Sequence, residues 1–208
     1  MPQTRPRPPT RQRATVDRIL QVTIDMLDEH GESGLRVEEV LAASGASTSS
    51  MYHHFENRDG LIDAARAVGF ARQAAEDVEA LRVALDGTED RDDLLARFDA
   101  ITRRTITPDR APQRRRRVAI LGWAAQRPSL WEALGEEQQR VTDSLAGLIR
   151  TGQDRGLVRT DLDAQAMAEF VLAYPFGRVL GDLNARPADT EEWYKVVDLV
   201  VRLFVVEG

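Results

Sequence analysis

The stretch from Val37 to Phe55 leaves this chain little choice of local structure. Val40 and Leu41 lie inward on a short helical pattern that ends at Ser44. Gly45 then supplies the permissive backbone of a tight turn. Ser47 is a suitable N-cap for the next helix, and from it the step of about 100° per residue places Met51 and Phe55 on one stripe. Ser49, Ser50 and His53 fall on the opposite side, with Tyr52 and His54 on the flanks. Two short helices joined by a glycine-containing turn form a helix-turn-helix, preceded here by an amphipathic helix over residues 13–30 that Gly31 ends.

Residues 43–55 read ASGASTSSMYHHF, without one Asp, Glu, Lys or Arg, in a chain whose charged fraction is 30%. In a helix-turn-helix the second helix lies in the major groove of DNA. That groove, about 12 Å wide, admits a helix whose outer face carries short or flat polar groups. A carboxylate there would meet phosphate repulsion; serine, threonine and histidine would not.

The rest of the chain is expected to be helical. Asn57 is a plausible N-cap for a helix from Arg58 to about Leu85, and further helices are expected at 90–106, 112–126, 129–154, 163–184 and 189–206. Pro108, Pro112, Pro128, Gly156 and Pro187 mark their boundaries. No alternating run of β-branched residues argues for a strand. The expected fold is all-α: a flexible basic arm at 1–12, a three-helix head at 13–57, and a larger helical body at 58–208.

A length of 208 residues with 42% apolar content is enough for a sizeable core. There is no cysteine, so disulfides and thiolate chemistry are excluded. The formal charge of −6 argues against nucleic acid at first, but it is unevenly spread. Arg5, Arg7, Arg11, Arg13 and Arg18 face only Asp17 within the first 24 residues, giving a basic arm on an acidic body. The N-terminus has no apolar run behind its positive charge, and the greasy segment Val196–Val206 is interrupted by Asp198 and Arg202. The expectation is a cytoplasmic protein with no membrane partner.

With the turn and its flanks in view, GLRVEEVLAASGASTSSMYHHFENRDGLIDAA resembles the DNA-binding segment of the tetracycline-repressor (TetR) family of bacterial transcriptional regulators. Gly34, the turn Gly45-Ala46-Ser47, MYHHF at 51–55 and NRDGL at 57–61 carry the resemblance. It implies that Thr48, Ser49, Ser50 and His53 face bases or the groove wall, and that Tyr52, His54 and Arg58 meet phosphate. Glu38, in the first turn of the second helix, departs from that pattern because it cannot greet phosphate; Arg36 beside it can serve instead. Arg5 and Arg7 would follow the DNA backbone or minor groove. The implied partners are a palindromic double-stranded operator, a hydrophobic or amphipathic small-molecule effector, and a second copy of the chain.

Other features admit plainer readings. His53 and His54 point about 100° apart on a helix, and His30 lies at a different helix end, so neither a metal nor any other cofactor is expected. Histidine is confined to the head, and no nucleophile motif or phosphate loop appears, so no enzyme is expected. The run QRRRRV at 113–118 spreads around a helix axis, so most of its arginines are solvated or paired, although one turned inward could bind an acidic ligand group. Phe70, Phe98, Trp123, Trp131, Tyr174 and Phe176 are core candidates, some of which could line a ligand cavity. Ala173, Gly177 and Gly181 form a small-residue stripe; with Leu199, Val200, Leu203 and Phe204 they are the expected dimer interface. An activator of the same fold and a sequence-neutral architectural DNA binder are the alternatives to a repressor.

Overall fold

The computed structural model describes residues 11–205, and among them the regular structure is helical. The helices are α1 (Arg11–Gly34), α2 (Val37–Ser44), α3 (Thr48–Phe55), α4 (Arg58–Asp86), α5 (Arg91–Thr105), α6 (Ala111–Ala124), α7 (Pro128–Asp154), α8 (Ala164–Leu183) and α9 (Thr190–Arg202). A single 3-10 turn, Pro108–Arg110, leads into α6. An isolated antiparallel bridge joins Val158 to Val205. No helix among the described residues is long and apolar enough to cross a membrane.

The chain divides into two compact units. The first runs to Phe70 and takes in Arg127–Leu134; the second comprises Ala71–Gln126 and the chain from Gly135 onward. Packing therefore carries the first unit past Asn57 into α4 and recruits the first turns of α7. The reason is visible in its core, where Leu61, Ile62 and Ala65 of α4 pack with Ile19, Val40, Met51 and Phe55. Fully burying a Leu or Ile side chain stabilises by about 1.5 to 3 kcal/mol, so Leu61 and Ile62 of α4 extend the core of α1, α2 and α3.

Local chemistry sets the helix ends in this unit. α1 is broken at Gly31, whose φ of 67° no ordinary residue adopts cheaply. Gly45, also left-handed at φ 65°, closes α2 and donates its N–H to the Leu41 carbonyl. Arg18 Nε reaches the Ser44 carbonyl at 3.3 Å, fastening α1 to the end of α2. Between α3 and α4, Glu56 takes φ 61° and ψ −48°, and Asn57 N–H donates to the Phe55 carbonyl at 2.6 Å. This is a γ-turn of the rare, strained kind. It brings the Phe55 carbonyl against Gly60, where any Cβ would collide with it. Asn57 Oδ1 accepts the Gly60 N–H at 2.8 Å, as expected of an N-cap.

In the second unit, Asp90, Asp163 and Asp189 cap α5, α8 and α9 through backbone N–H groups at 3.0, 2.9 and 2.8 Å. One core cluster gathers Ala74, Val78, Val141, Leu145 and Ala168, and another gathers Leu85, Leu94, Val158, Met167 and Val205. Arg155 donates to the Leu85 and Thr88 carbonyls, both at 2.6 Å, and so caps the end of α4. A bidentate pair between Arg114 and Asp182, at 2.9 and 3.0 Å, joins α6 to α8 in a nearly dry setting.

Candidate nucleic-acid interface and ligand cavity

Ser47 fixes α3 at its start. Its hydroxyl accepts the Ser50 N–H at 3.1 Å, while its own backbone is extended. Met51 is 0% and Phe55 8% exposed, so one stripe of the helix is nailed to the core. The opposite side then has to face solvent: Thr48, Ser49, Tyr52 and His53 are exposed, with Ser50 and His54 half-buried. The His53 and His54 rings meet edge to face at 5.0 Å, and His54 leans in turn toward Phe55 at 6.3 Å. The outcome is a rigid helix presenting hydroxyls, a phenol and an imidazole without a carboxylate, a surface suited to hydrogen bonding in a groove.

The arginines expected to flank it are placed differently. Arg36 is exposed at the entrance to α2, and its Nη1 donates to the Ser33 carbonyl at 2.9 Å. Arg58 turns inward: its Nη2 donates to the Glu32 carbonyl at 2.5 Å and the Leu35 carbonyl at 3.4 Å. These carbonyls lie past the Gly31 break, and that of Glu32 also accepts the Leu35 N–H at 3.3 Å. Arg58 thus holds the end of α1 in this structure. Glu38 and Glu39 occupy the first turn of α2, where a negative charge complements the helix dipole. That gives the departure at Glu38 a structural reason. Arg5 and Arg7 lie outside the described residues.

A charged cluster that joins α1, α4 and α7 within the first unit was not foreseen. Glu32 pairs with Arg66 at 2.7 Å and with Arg127 at 3.2 Å. Arg127 also reaches the buried Asp63 at 3.5 Å, which accepts the Ser129 hydroxyl at 2.7 Å. Burial acts to raise the Glu32 carboxyl, but hydrogen bonds and charge from Arg127 and Arg66 outweigh it and leave the pKa below its ordinary 4.5. This cluster is why the first turns of α7 belong to the first unit. Its members are too far apart in sequence for spacing to reveal them.

The second unit encloses a cavity of about 120 Å³. Of the aromatics singled out from the sequence, Phe98 and Tyr174 line it. Phe70 is buried in the first unit, and Phe176 lies 5.2 Å from the Arg117 guanidinium. Trp123 and Trp131 are 48% and 59% exposed, so neither is the core residue that its size suggests. Their helices bury other positions instead: Ile120 and Ala124 in α6, Leu130 and Leu134 in α7. Within the arginine run, Arg114 and Arg117 share the inward side at a three-residue spacing. Arg114 pairs with Asp182, and Arg117 lines the cavity. Arg115 and Arg116 are on the exposed side.

The last two helices leave an apolar face uncovered. On α8, Phe170, Ala173, Gly177 and Leu180 are exposed; on α9, Val196 and Leu199 are, and so is Leu203 just past its end. Val200 is half-buried. Phe204, expected at this face, is half-buried, lining the cavity and meeting Phe170 edge to face at 5.7 Å. A Cβ on Gly177 would touch nothing, whereas one on Gly181 would run into the Arg178 guanidinium. At Gly181 the space that a Cβ would take is filled by the long side chain of Arg178, one turn earlier in the same helix. Among the described residues no cluster of three His, Asp or Glu is placed to hold a metal ion.

Residues 19–65 match the model of a family described as bacterial regulatory proteins, tetR family. The chain is similar to the HTH-type transcriptional regulator UidR of Escherichia coli K12, at 22% identity over 176 residues that make up 85% of each chain. Among solved structures it resembles a putative TetR-family transcriptional regulator from Mesorhizobium loti, with a TM-score of 0.63, 21% identity, and coverage of 93% of this chain and 96% of that one. It also resembles a putative transcriptional regulator from Saccharomonospora viridis in complex with choline. There the TM-score is 0.55 at 19% identity, covering 93% and 98% of the two chains.

Proposed function

The chain belongs to the tetR family of bacterial regulatory proteins, and from that premise we propose that it is a homodimeric repressor, released from a palindromic operator by a small molecule bound in the body. One observation carries the reading: α3 is anchored by Met51 and Phe55, and the face it turns to solvent bears Thr48, Ser49, Tyr52 and His53 without a carboxylate. Such a face can enter the groove, with Ser49 and His53 toward base edges and Tyr52 toward the backbone. The arm with Arg5 and Arg7 follows the phosphates, and Arg36 reaches them by releasing the Ser33 carbonyl.

Two copies paired through α8 and α9 present two reading helices to half-sites about 34 to 36 Å apart, or a multiple of that spacing. The uncovered apolar stripe supports this pairing. The cavity supports an effector, and so does the choline-bound relative. The coupling required to release DNA is of order 1 to 3 kcal/mol. Residues 13–57 read and residues 58–208 sense, in the cytoplasm where the operator lies. The protein turns nothing over, and DNA, effector and its own second copy are its partners.

Sequencing the genomic DNA that co-purifies with the protein tests the reading. Enrichment of one palindrome overlapping a promoter supports repression, and a palindrome upstream of the promoter favours an activator. Enrichment of no sequence would leave an architectural DNA binder.

A further inference from the structure

The small-residue stripe of α8, Ala173, Gly177 and Gly181, carries one side chain that its own chain leaves unsatisfied. Arg178 is 5% exposed, and its Nε is enclosed without a hydrogen-bond partner. Among the described residues the guanidinium makes no hydrogen bond and no ion pair. Its Nη1 fills the place that a Cβ on Gly181 would take, so the group lies on the stripe. The Trp193 ring of α9 is 5.2 Å away. A ring face attracts a cation but supplies no oxygen to its N–H groups, and the Trp193 indole N–H is itself enclosed without an acceptor.

The carboxylates near it in sequence are taken. Asp182, one turn further on, holds Arg114 with both oxygens, at 2.9 and 3.0 Å. On α9, Glu191 pairs with Arg103 at 2.8 Å, Glu192 with Lys195 at 2.6 Å and Asp198 with Arg202 at 2.8 Å. A guanidinium is permanently charged, and a dry, unpaired charge is among the costliest groups a fold can contain. In the single chain Arg178 avoids the full cost because its terminal nitrogens, unlike Nε, are not enclosed. The α8 surface beside them is open, with Ala173, Gly177 and Leu180 exposed.

Resting on the reading that two copies pair through α8 and α9, we infer that Arg178 is completed across that interface: an oxygen of the second copy, carboxylate or backbone carbonyl, accepts from its terminal nitrogens. A second chain laid on the stripe takes away the solvent that the guanidinium still meets. Its own chain has no acceptor to give, so the covering chain supplies one. Trp193 and Gly181 already hold the guanidinium in place, so little side-chain freedom is lost when the bond forms. Two-fold symmetry makes the contact twice per dimer. Arg178 is thereby the polar anchor of an otherwise apolar interface.

Sedimentation equilibrium over a dilution series compares the full-length wild type with Arg178→Met and Arg178→Lys. Methionine keeps an unbranched stem and loses every donor, so it should weaken the dimer by about a hundredfold, roughly tenfold for each of the two symmetric contacts. Lysine keeps the charge but not the planar fork, and should fall between. Thermal melting in a Leu180→Ala, Leu199→Ala background, designed to keep the chains apart, reads the effect on the fold alone. There Arg178→Met should leave the melting temperature nearly unchanged, because no hydrogen bond or ion pair within the chain is lost; a clear drop would give Arg178 a role inside its own chain and overturn the inference. Equal dimer constants for wild type and Arg178→Met overturn it as well. If the methionine variant does not fold, Arg178→Lys decides, and a lysine dimer as tight as the wild type overturns the inference. Sodium sulfate that raises the melting temperature of the wild type but not of Arg178→Met, with equal dimer constants, would make the acceptor a solution anion and overturn it too. A wild-type chain that stays monomeric at millimolar concentration removes the pairing reading itself, whereas a wild-type dimer that Arg178→Met leaves intact removes the inference alone.

Discussion

Shortening Leu180 and Leu199 to alanine should separate the two protomers of the proposed dimer. In the single chain these residues are 70% and 63% exposed, so about two-thirds of each side chain is still available to be covered by a partner. Leucine-to-alanine removes three carbons, each contributing about 0.8 kcal/mol when fully buried. Scaled by the exposed share, one truncation removes about 1.5 kcal/mol per protomer. Two-fold symmetry places the same residue on both sides, so each substitution costs about 3 kcal/mol per dimer, on the order of a hundredfold in Kd. Together they should weaken the dimer on the order of ten-thousandfold. Sedimentation equilibrium over a dilution series reads this directly, and circular dichroism checks that helicity is retained. Gly177→Leu supplies an independent wedge, because nothing in its own chain lies where the new side chain would start. A double variant with unchanged dimer affinity and full helicity would refute both the interface and the arithmetic.

Four further outcomes are expected. His53→Ala or Ser49→Ala should lower operator affinity by about 1 to 3 kcal/mol and relax preference at one position per half-site, measured by binding to operator variants; equal loss on operator and scrambled DNA would contradict base reading. Ser47→Ala removes the acceptor of the Ser50 N–H and should destabilise the protein by about 1 kcal/mol, seen as a lower melting temperature. Glu56→Gly should stabilise by roughly 1 kcal/mol, since φ 61° is strained for glutamate and free for glycine, and chemical denaturation would show it as a higher midpoint. The Glu32 carboxyl lies below its ordinary 4.5 when folded, so the unfolded chain binds its proton more readily; the stabilisation is present above pH 4.5 and is lost as pH falls through the folded value. Glu32→Gln should therefore flatten the fall in stability below pH 4.5, and an acid limb as steep as that of the wild type would count against the cluster.

The head was legible because its signals are local. Gly45, Ser47 and the four-residue step from Met51 to Phe55 lie within one short window, and the structure places α2 at Val37–Ser44 and α3 at Thr48–Phe55 accordingly. NRDGL was recognisable as a pattern, but its cause, a Phe55 carbonyl lying against Gly60, is a matter of three-dimensional approach. The body was legible only as a succession of helices. Which face of each helix turns inward depends on neighbours far along the chain, and large aromatics mislead: Trp123 and Trp131 are exposed, while Arg114 and Arg178 are buried. Spacing showed that Arg114 to Arg117 spread around the helix axis, but which of them turn inward, and the partner Asp182, had to be found by the fold. Phe204 is expected at the dimer interface as part of a final helix that runs to 206. α9 ends at Arg202, so the helical count that would have aimed Phe204 no longer applies.

α3 carries no lysine, arginine or carboxylate. Condensed counterions are displaced by fixed positive charge, and this helix offers no permanent one; neutral hydroxyls reading base edges displace none. With the roles proposed for arm and helix, ionic strength should act on the phosphate contacts, which every DNA sequence shares, and leave the proposed base reading by Ser49 and its neighbours nearly untouched. As salt rises, non-specific occupancy of the chromosome should fall in step with operator occupancy, and the ratio between them should hold. A regulator built this way keeps its selectivity through osmotic change and loses only residence time.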